Sequence, residues 1–305
     1  MKLAYVVFAR DKEPWVAECV NSILAQSYSP MEIVFSDQGS KDNTLAIIKE
    51  TVNGYNGPNK IRILECPETE PRGMAGLLAH INWLHNMLEA DFWITCSADD
   101  FDYPGRAQRT METIHGLGTI PMYLGTAQHF LRPDLSVIGV TPNPQESKWV
   151  EPMESLKDKV GGSCSGAWSP LLLQEFGPLP MGSLTDVYMP FCAALRGGFY
   201  FIAELLHAYV ERDDPNNTGL GGRNRMAKTE EDRRQIEELV QYEFCANLNQ
   251  ITSVTGEVIR QFPDRKDLDE VLQFLYSNEL TQMRGWVEAR GRLTKGRIAP
   301  ALYPA

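Results

Sequence analysis

The alternation of short apolar runs with amphipathic segments over residues 1–115 is what most limits the folds open to this chain. Ala4–Ala9 is a continuous apolar run of strand length, and Met31–Phe35, Ile61–Leu64 and Phe92–Cys96 read as further strands. Between the first two, Cys19, Val20, Ile23 and Leu24 share one helical face, and Pro14 sits where a helix starts. Leu45, Ile47 and Ile48 mark a second helix that Ser40 or Asp42 can cap, and a third is expected from Gly73 to about Leu88. Strands alternating with helices need right-handed crossovers, so the expectation is an α/β domain on a mostly parallel sheet.

Between about 120 and 225 the pattern loosens. Met122–Ala127 and Phe199–Ile202 read as short strands, and Pro142-Asn143-Pro144 and Gly161-Gly162-Ser163 read as loops. From Thr229 to Arg290 the chain is expected to be helical. Ile236, Leu239, Val240, Phe244, Leu248 and Ile251 recur at helical spacing, and Leu268, Val271, Leu272 and Leu275 resume it after Pro263. Such a stripe is a core face or a homodimer seam. Thr229 with Asp232 forms a capping-box pattern. The tail carries Arg290, Arg292, Lys295 and Arg297. The expected division is a catalytic domain over 1–225, with halves at 1–115 and 116–225, and a helical region over 226–305 with a basic tail.

Two of the strand runs end in acids. Met31–Phe35 leads into Ser36-Asp37-Gln38-Gly39-Ser40, and Phe92–Cys96 leads into Ser97-Ala98-Asp99-Asp100. The carboxyl ends of neighbouring strands are where an open α/β sheet forms its ligand crevice. Hard carboxylate oxygens there suit Mg²⁺ or Mn²⁺, and such an ion commonly holds a substrate diphosphate. Each acid has a plainer reading. Asp37 suits an Asx turn. Asp99 and Asp100 suit a helix N-terminus, because Pro104 follows. Asp102 reads as a solvated loop acid, with metal ligation as the alternative.

Composition narrows the partners. A net charge of −11 opposes non-specific binding to nucleic acid or anionic membrane. With 43% hydrophobic residues the chain can bury a core, yet no run reaches the ~18 apolar residues of a membrane span. The opening MKLAYVVFARDKEP meets charge too early for a signal peptide and reads as a first strand, so a cytoplasmic location is expected. Cys19, Cys66, Cys96, Cys164, Cys192 and Cys245 are scattered, as reduced core cysteines are. His80, His85, His115, His129 and His207 show no ligand spacing and read as structural.

In order, these segments resemble family 2 glycosyltransferases of the GT-A fold. The resemblance rests on Cys19-Val20-Asn21-Ser22-Ile23-Leu24-Ala25-Gln26-Ser27-Tyr28 and on Asp37-Gln38-Gly39-Ser40-Lys41-Asp42-Asn43-Thr44, which match the family's first helix and its acidic turn. Ser97–Asp100 matches its DxD-type motif, Gly162 through Leu179 its next block, and Thr185-Asp186 the acidic pair before the acceptor-side helix. The likeness extends over about residues 1–215. It departs at Gln38, where the family has a second Asp, at Ser97, the first acid of a strict DxD, and at Asp214, which replaces a His of the family's later loop.

The resemblance implies an inverting transferase that uses a nucleotide sugar, a UDP-sugar being favoured, with Mn²⁺ or Mg²⁺. It implies that Asp37, Ala9, Arg10, Gly73 and Asp99 line the nucleotide, that Asp100, Asp99 and Asp214 hold the metal, and that Arg212 or Arg223 meets phosphate. Asp186 becomes the general base. A glycan or lipid-linked acceptor leads. A modified base in nucleic acid is the alternative acceptor, and a non-catalytic nucleotide-sugar-binding protein is the alternative class.

Overall fold

A computed structural model describes residues 1–67, 73–141, 146–157, 166–212 and 229–278. The elements run β1 (Leu3–Ala9), α1 (Val16–Leu24), β2 (Glu32–Asp37), α2 (Thr44–Asn53), β3 (Lys60–Glu65), α3 (Met74–His85), β4 (Phe92–Ser97), β5 (Phe101–Asp102) and α4 (Arg106–Leu117). They continue with β6 (Tyr123–Leu131), β7 (Val137–Val140), β8 (Lys148–Trp149), α5 (Pro152–Lys157), β9 (Ala167–Trp168), α6 (Leu171–Phe176), α7 (Thr185–Leu195), β10 (Phe199–Val210) and α8 (Glu230–Gln261). Residues 267–278 are also helical.

One sheet carries the fold, in the order β3-β2-β1-β4-β9-β6-β10-β5, with β7 paired to β6 and β8 to β10. β1 lies between β2 and β4, parallel to both, and β3 extends the parallel set. A strand covered on both faces can be apolar at every position, which is why Leu3–Val7 shows no polar alternation. Leu3, Tyr5 and Val7 pack with Val20 and Ile23 of α1, Ile48 of α2 and Met111 of α4. Ala4 and Val6 belong to the opposite core, with Leu78 of α3, Phe191 of α7 and Ile251 of α8. Helices therefore cover both faces.

The expectation of a mostly parallel sheet holds for β1–β4 and again for β6 with β10, and it fails only at the short strands. β5, β7, β8 and β9 each run antiparallel to a neighbour. Of these, β7 follows β6 by a tight connection that has no room for the crossover that parallel pairing needs, while β5, β8 and β9 are two-residue strands that fill in beside distant partners. Helix starts also shift. α1 begins two residues after Pro14, at Val16. Asp42 Oδ1 accepts from the backbone N–H of Thr44 at 3.0 Å as α2 opens, while Ser40 is used elsewhere.

At the C-terminal end the capping box is formed. Thr229 Oγ1 accepts from Asp232 N at 3.0 Å, and Asp232 Oδ2 accepts from Thr229 N at 2.8 Å. Of the apolar stripe, Leu248, Ile251, Leu268, Val271 and Leu275 join the core that contains α3 and α7, together with Val258. Among the described residues no helix is long and apolar enough to cross a membrane. Since Ile251 is fully buried in that shared core, Ile251→Ala should lower unfolding stability by about 2–5 kcal/mol in one cooperative urea transition. A separate, unshifted transition for the rest of the fold would show that α8 is not part of its core.

Candidate functional site

The register of the parallel strands fixes the crevice. Ala9 pairs with Asp37, and Phe8 pairs with Ser97, so β1, β2 and β4 end at one level. Just past them, Gln38 N donates to Ala9 O at 2.9 Å and Ala98 N donates to Phe8 O at 3.0 Å. Asp37 is buried, and its carboxylate accepts from both the backbone N–H and the hydroxyl of Ser40. Gly39 makes that turn with φ of 62°, a value that suits a residue without Cβ. Asp37 is thus an Asx-turn residue in this state, and an ionised carboxylate still has lone pairs for a further donor.

Gln38 faces the other way. Its Nε2 donates to Gly76 O at 2.9 Å and ties the crevice floor to the first turn of α3, whose preceding Gly73 has φ of 80°. Arg10 lies close enough to act on two neighbours. Burial, reinforced by Arg10, pulls His80 down to about 4, and burial pushes Cys66 up to about 11 against the pull of Arg10. Neutral His80 shares a 2.7 Å hydrogen bond with the Ser36 hydroxyl and has a structural role, as the sequence implied.

The two acids after β4 point to different environments. Asp100 is buried, and its Oδ1 accepts from Val210 N at 2.9 Å. Burial first, then the charge of Asp99, raises its carboxyl well above the usual range. Asp99 Oδ2 meets Lys12 Nζ at 2.8 Å, with both side chains 14% exposed. Neither acid starts a helix, because α4 begins at Arg106. Arg212, expected as a loop arginine, is buried. Its Nε donates to Asp99 O at 3.0 Å, its NH2 donates to Glu18, and its guanidinium lies 5.9 Å from the Trp15 ring.

Asp186 is exposed in the first turn of α7. It is not the cap, since Leu184 occupies that position without a side-chain hydrogen bond. Beside it, Thr185 Oγ1 lies 4.0 Å from Met74 Sδ, which brings the start of α7 to the start of α3. A cavity between the sheet and these two helices is lined by Phe8 and Ser97, by Leu77 and Ile81 of α3, and by Met189 of α7. Asp213, Asp214 and Arg223 lie outside the described residues, as do Cys164 and the loops at 142–144 and 161–163.

Residues 5–130 match the sequence profile described as Glycosyl transferase family 2. Over this segment the chain is similar to that family. EpsE of Bacillus subtilis (strain 168), a glycosyltransferase by name, is 28% identical over 108 residues, which are 35% of this chain and 36% of the relative. The chain therefore spans about a third of the curated relative's length. S. aureus TarS 1-349 in complex with UDP-GlcNAc superposes with a TM-score of 0.58 at 16% identity, covering 95% of this chain and 92% of that one. The mannosyltransferase PcManGT from Pyrobaculum calidifontis, in complex with GDP-Man and Mn²⁺, gives 0.56 at 14% identity over 98% and 77%. At such identities the likeness establishes the GT-A fold.

Within the family 2 segment, Asp102 corrects the sequence reading. It is fully buried rather than solvated, and it anchors a polar cluster under the crevice. Its Oδ1 takes Arg106 NH1 at 2.6 Å and His207 Nδ1 at 2.7 Å, and its Oδ2 accepts the Tyr5 hydroxyl. Burial would raise the Asp102 carboxyl, but Arg106 and His207 outweigh it and hold it below its usual value. Burial keeps His207 neutral, so the proton it donates to ionised Asp102 sits on Nδ1. Cys96, Asp102 and His207 bring ligand-type atoms within 4.8 Å of one another. The cation this cluster needs is already there in Arg106, whose NH1 also donates to Thr95 O at 3.0 Å. Two signals could have exposed this cluster in the sequence: Arg106 four residues after Asp102, and a His within the apolar run Phe199–Val210. Asp102→Asn leaves Arg106 buried without its counter-charge and should cost about 3–5 kcal/mol in urea unfolding. A loss under about 1 kcal/mol would show that Arg106 does not depend on this carboxylate.

Proposed function

We propose that this chain transfers a sugar from a nucleotide-sugar donor, UDP-linked, to a hydroxyl of a saccharide or lipid-linked saccharide, with inversion. The observation that carries the reading is the convergence of Asp37 and Asp99 beyond the ends of the strands flanking β1. The structural neighbours support the donor class, since TarS is seen with UDP-GlcNAc and with UDP, and PcManGT with GDP-Man and Mn²⁺.

The residues fit a divalent ion. Asp99 already attracts a cation, the Lys12 ammonium, and its oxygens are the hard donors that Mn²⁺ and Mg²⁺ take. Asp99 would hold the metal, with Asp100 adjoining and Asp214 completing the set from the later loop. When bound, the metal offsets charge growing on the departing nucleoside diphosphate. Asp37 would accept the ring N–H of the base, the Asp37–Ser40 turn holding the carboxylate still. Ala9, Arg10 and Gly73 would line the nucleotide, and Arg212 would steady Asp99 through its carbonyl.

Asp186 would take the proton of the acceptor hydroxyl as that oxygen attacks the anomeric carbon opposite the diphosphate. Its exposure leaves it open to an acceptor, and the Thr185–Met74 contact keeps it on the α3 side of the crevice. Buried free cysteines at 19, 66, 96, 192 and 245 agree with a reducing, cytoplasmic setting.

The roles separate experimentally. Asp186→Asn should lower kcat by about 10²-fold or more while UDP–Mn²⁺ affinity stays at the wild-type value. Asp99→Asn should abolish the gain in UDP affinity that Mn²⁺ gives, measured by calorimetry. Wild-type turnover in Asp186→Asn, or an intact Mn²⁺ effect in Asp99→Asn, would overturn the respective assignment.

A further inference from the structure

We infer that Lys12 is a resident cation of the donor site, one that guards Asp99 until metal and diphosphate arrive together. The inference rests on the metal-dependent donor site proposed above. Lys12 Nζ sits 2.8 Å from Asp99 Oδ2, where both side chains are largely withdrawn from water and screening is incomplete. A divalent ion binding this carboxylate meets an ammonium already on it. The ion must displace Lys12 or bear its repulsion.

The loop makes this a side-chain movement and nothing more. Asp11, at φ of 51°, accepts from Lys41 N at 2.7 Å and donates its own N–H to Ser40 Oγ at 2.9 Å. Lys12 N donates to Thr44 Oγ1 at 2.6 Å, and Glu13 N donates to Asp42 Oδ2 at 3.0 Å. Three consecutive backbone groups are thereby pinned to the turn after β2. The Lys12 stem is long and flexible, and its head is a compact point charge able to change partners. Arg212 differs, being held by Asp99 O at one nitrogen and Glu18 at another.

Lys12 Nζ also lies 5.9 Å from the Trp15 ring, and displaced from Asp99 the ammonium finds a second anion in a bound diphosphate. The metal then costs the site little, because Lys12 moves from one anion to another within the same crevice. Metal alone takes the Asp99 carboxylate from Lys12 and supplies no anion in exchange. The consequence is coupling: Mn²⁺ and a nucleoside diphosphate each raise the other's affinity, by the same factor.

The test is Mn²⁺ binding to the full chain, followed by the electron paramagnetic resonance of free Mn²⁺, with and without UDP. Lys12→Met keeps length and loses charge. It should bind Mn²⁺ alone about tenfold or more tightly than wild type, a charge–charge effect of the size expected in a partly buried site. The factor by which UDP improves Mn²⁺ affinity should shrink correspondingly. Lys12→Arg, which retains the charge, should bind Mn²⁺ alone as weakly as wild type. Unchanged or weaker Mn²⁺ binding by Lys12→Met without nucleotide would overturn the role of Lys12 alone. Absence of Mn²⁺ binding in every protein, even with UDP, would overturn the metal reading and this inference with it.

Discussion

The parallel pairing of β1 with β2 and β4 is the constraint on which the rest of the site depends. Parallel neighbours end on the same side, so three separate stretches of sequence deliver Ala9, Asp37 and Ser97 to one edge. The pairing persists because β1 is apolar on both faces and helices cover both. A shift of one residue in either ladder would carry Asp37 or the Ser97–Asp100 turn away from the other and move every side chain to the opposite face. Burial of a plain apolar strand thus determines where the charges meet.

Electrostatics then sorts the acids by role. Asp102 is committed to Arg106, His207 and Tyr5 below the crevice, where its charge is matched on the spot. Asp100 is turned inward onto Val210 N, and burial favours its neutral form. Asp37 is held by Ser40. Asp99 is the acid whose carboxylate pairs with the Lys12 ammonium at the crevice itself. Four carboxylates within a short span of the fold therefore do four different things, and the difference lies in what each one's surroundings supply.

The four parallel strands were legible because each is short, rich in strand-forming residues and separated from the next by a helical segment, and the acids after β2 and β4 could be read as strand-end residues directly. The capping box at Thr229 was equally local. What was not legible depended on distant partners. Arg212 is buried by Trp15 and Glu18, nearly two hundred residues earlier, and nothing in its own neighbourhood says so. Asp102 read as a solvated loop acid because its burial depends on His207, which arrives from β10 more than a hundred residues later to join Arg106 on it. β7, β8 and β9 are two to four residues long, too short to carry a period of their own. Their pairing is set by the strands they lie against.

The central claim is that Asp99, and not the buried Cys96–Asp102–His207 cluster, is the metal-binding point of this GT-A fold. A crystal grown with UDP and Mn²⁺ and measured at the manganese absorption edge tests it directly. The account predicts an anomalous peak about 2–2.5 Å from an Asp99 carboxylate oxygen, with Lys12 drawn away from that carboxylate toward the diphosphate. A peak on Cys96, Asp102 and His207, or nucleotide bound with no manganese at Asp99, would contradict it.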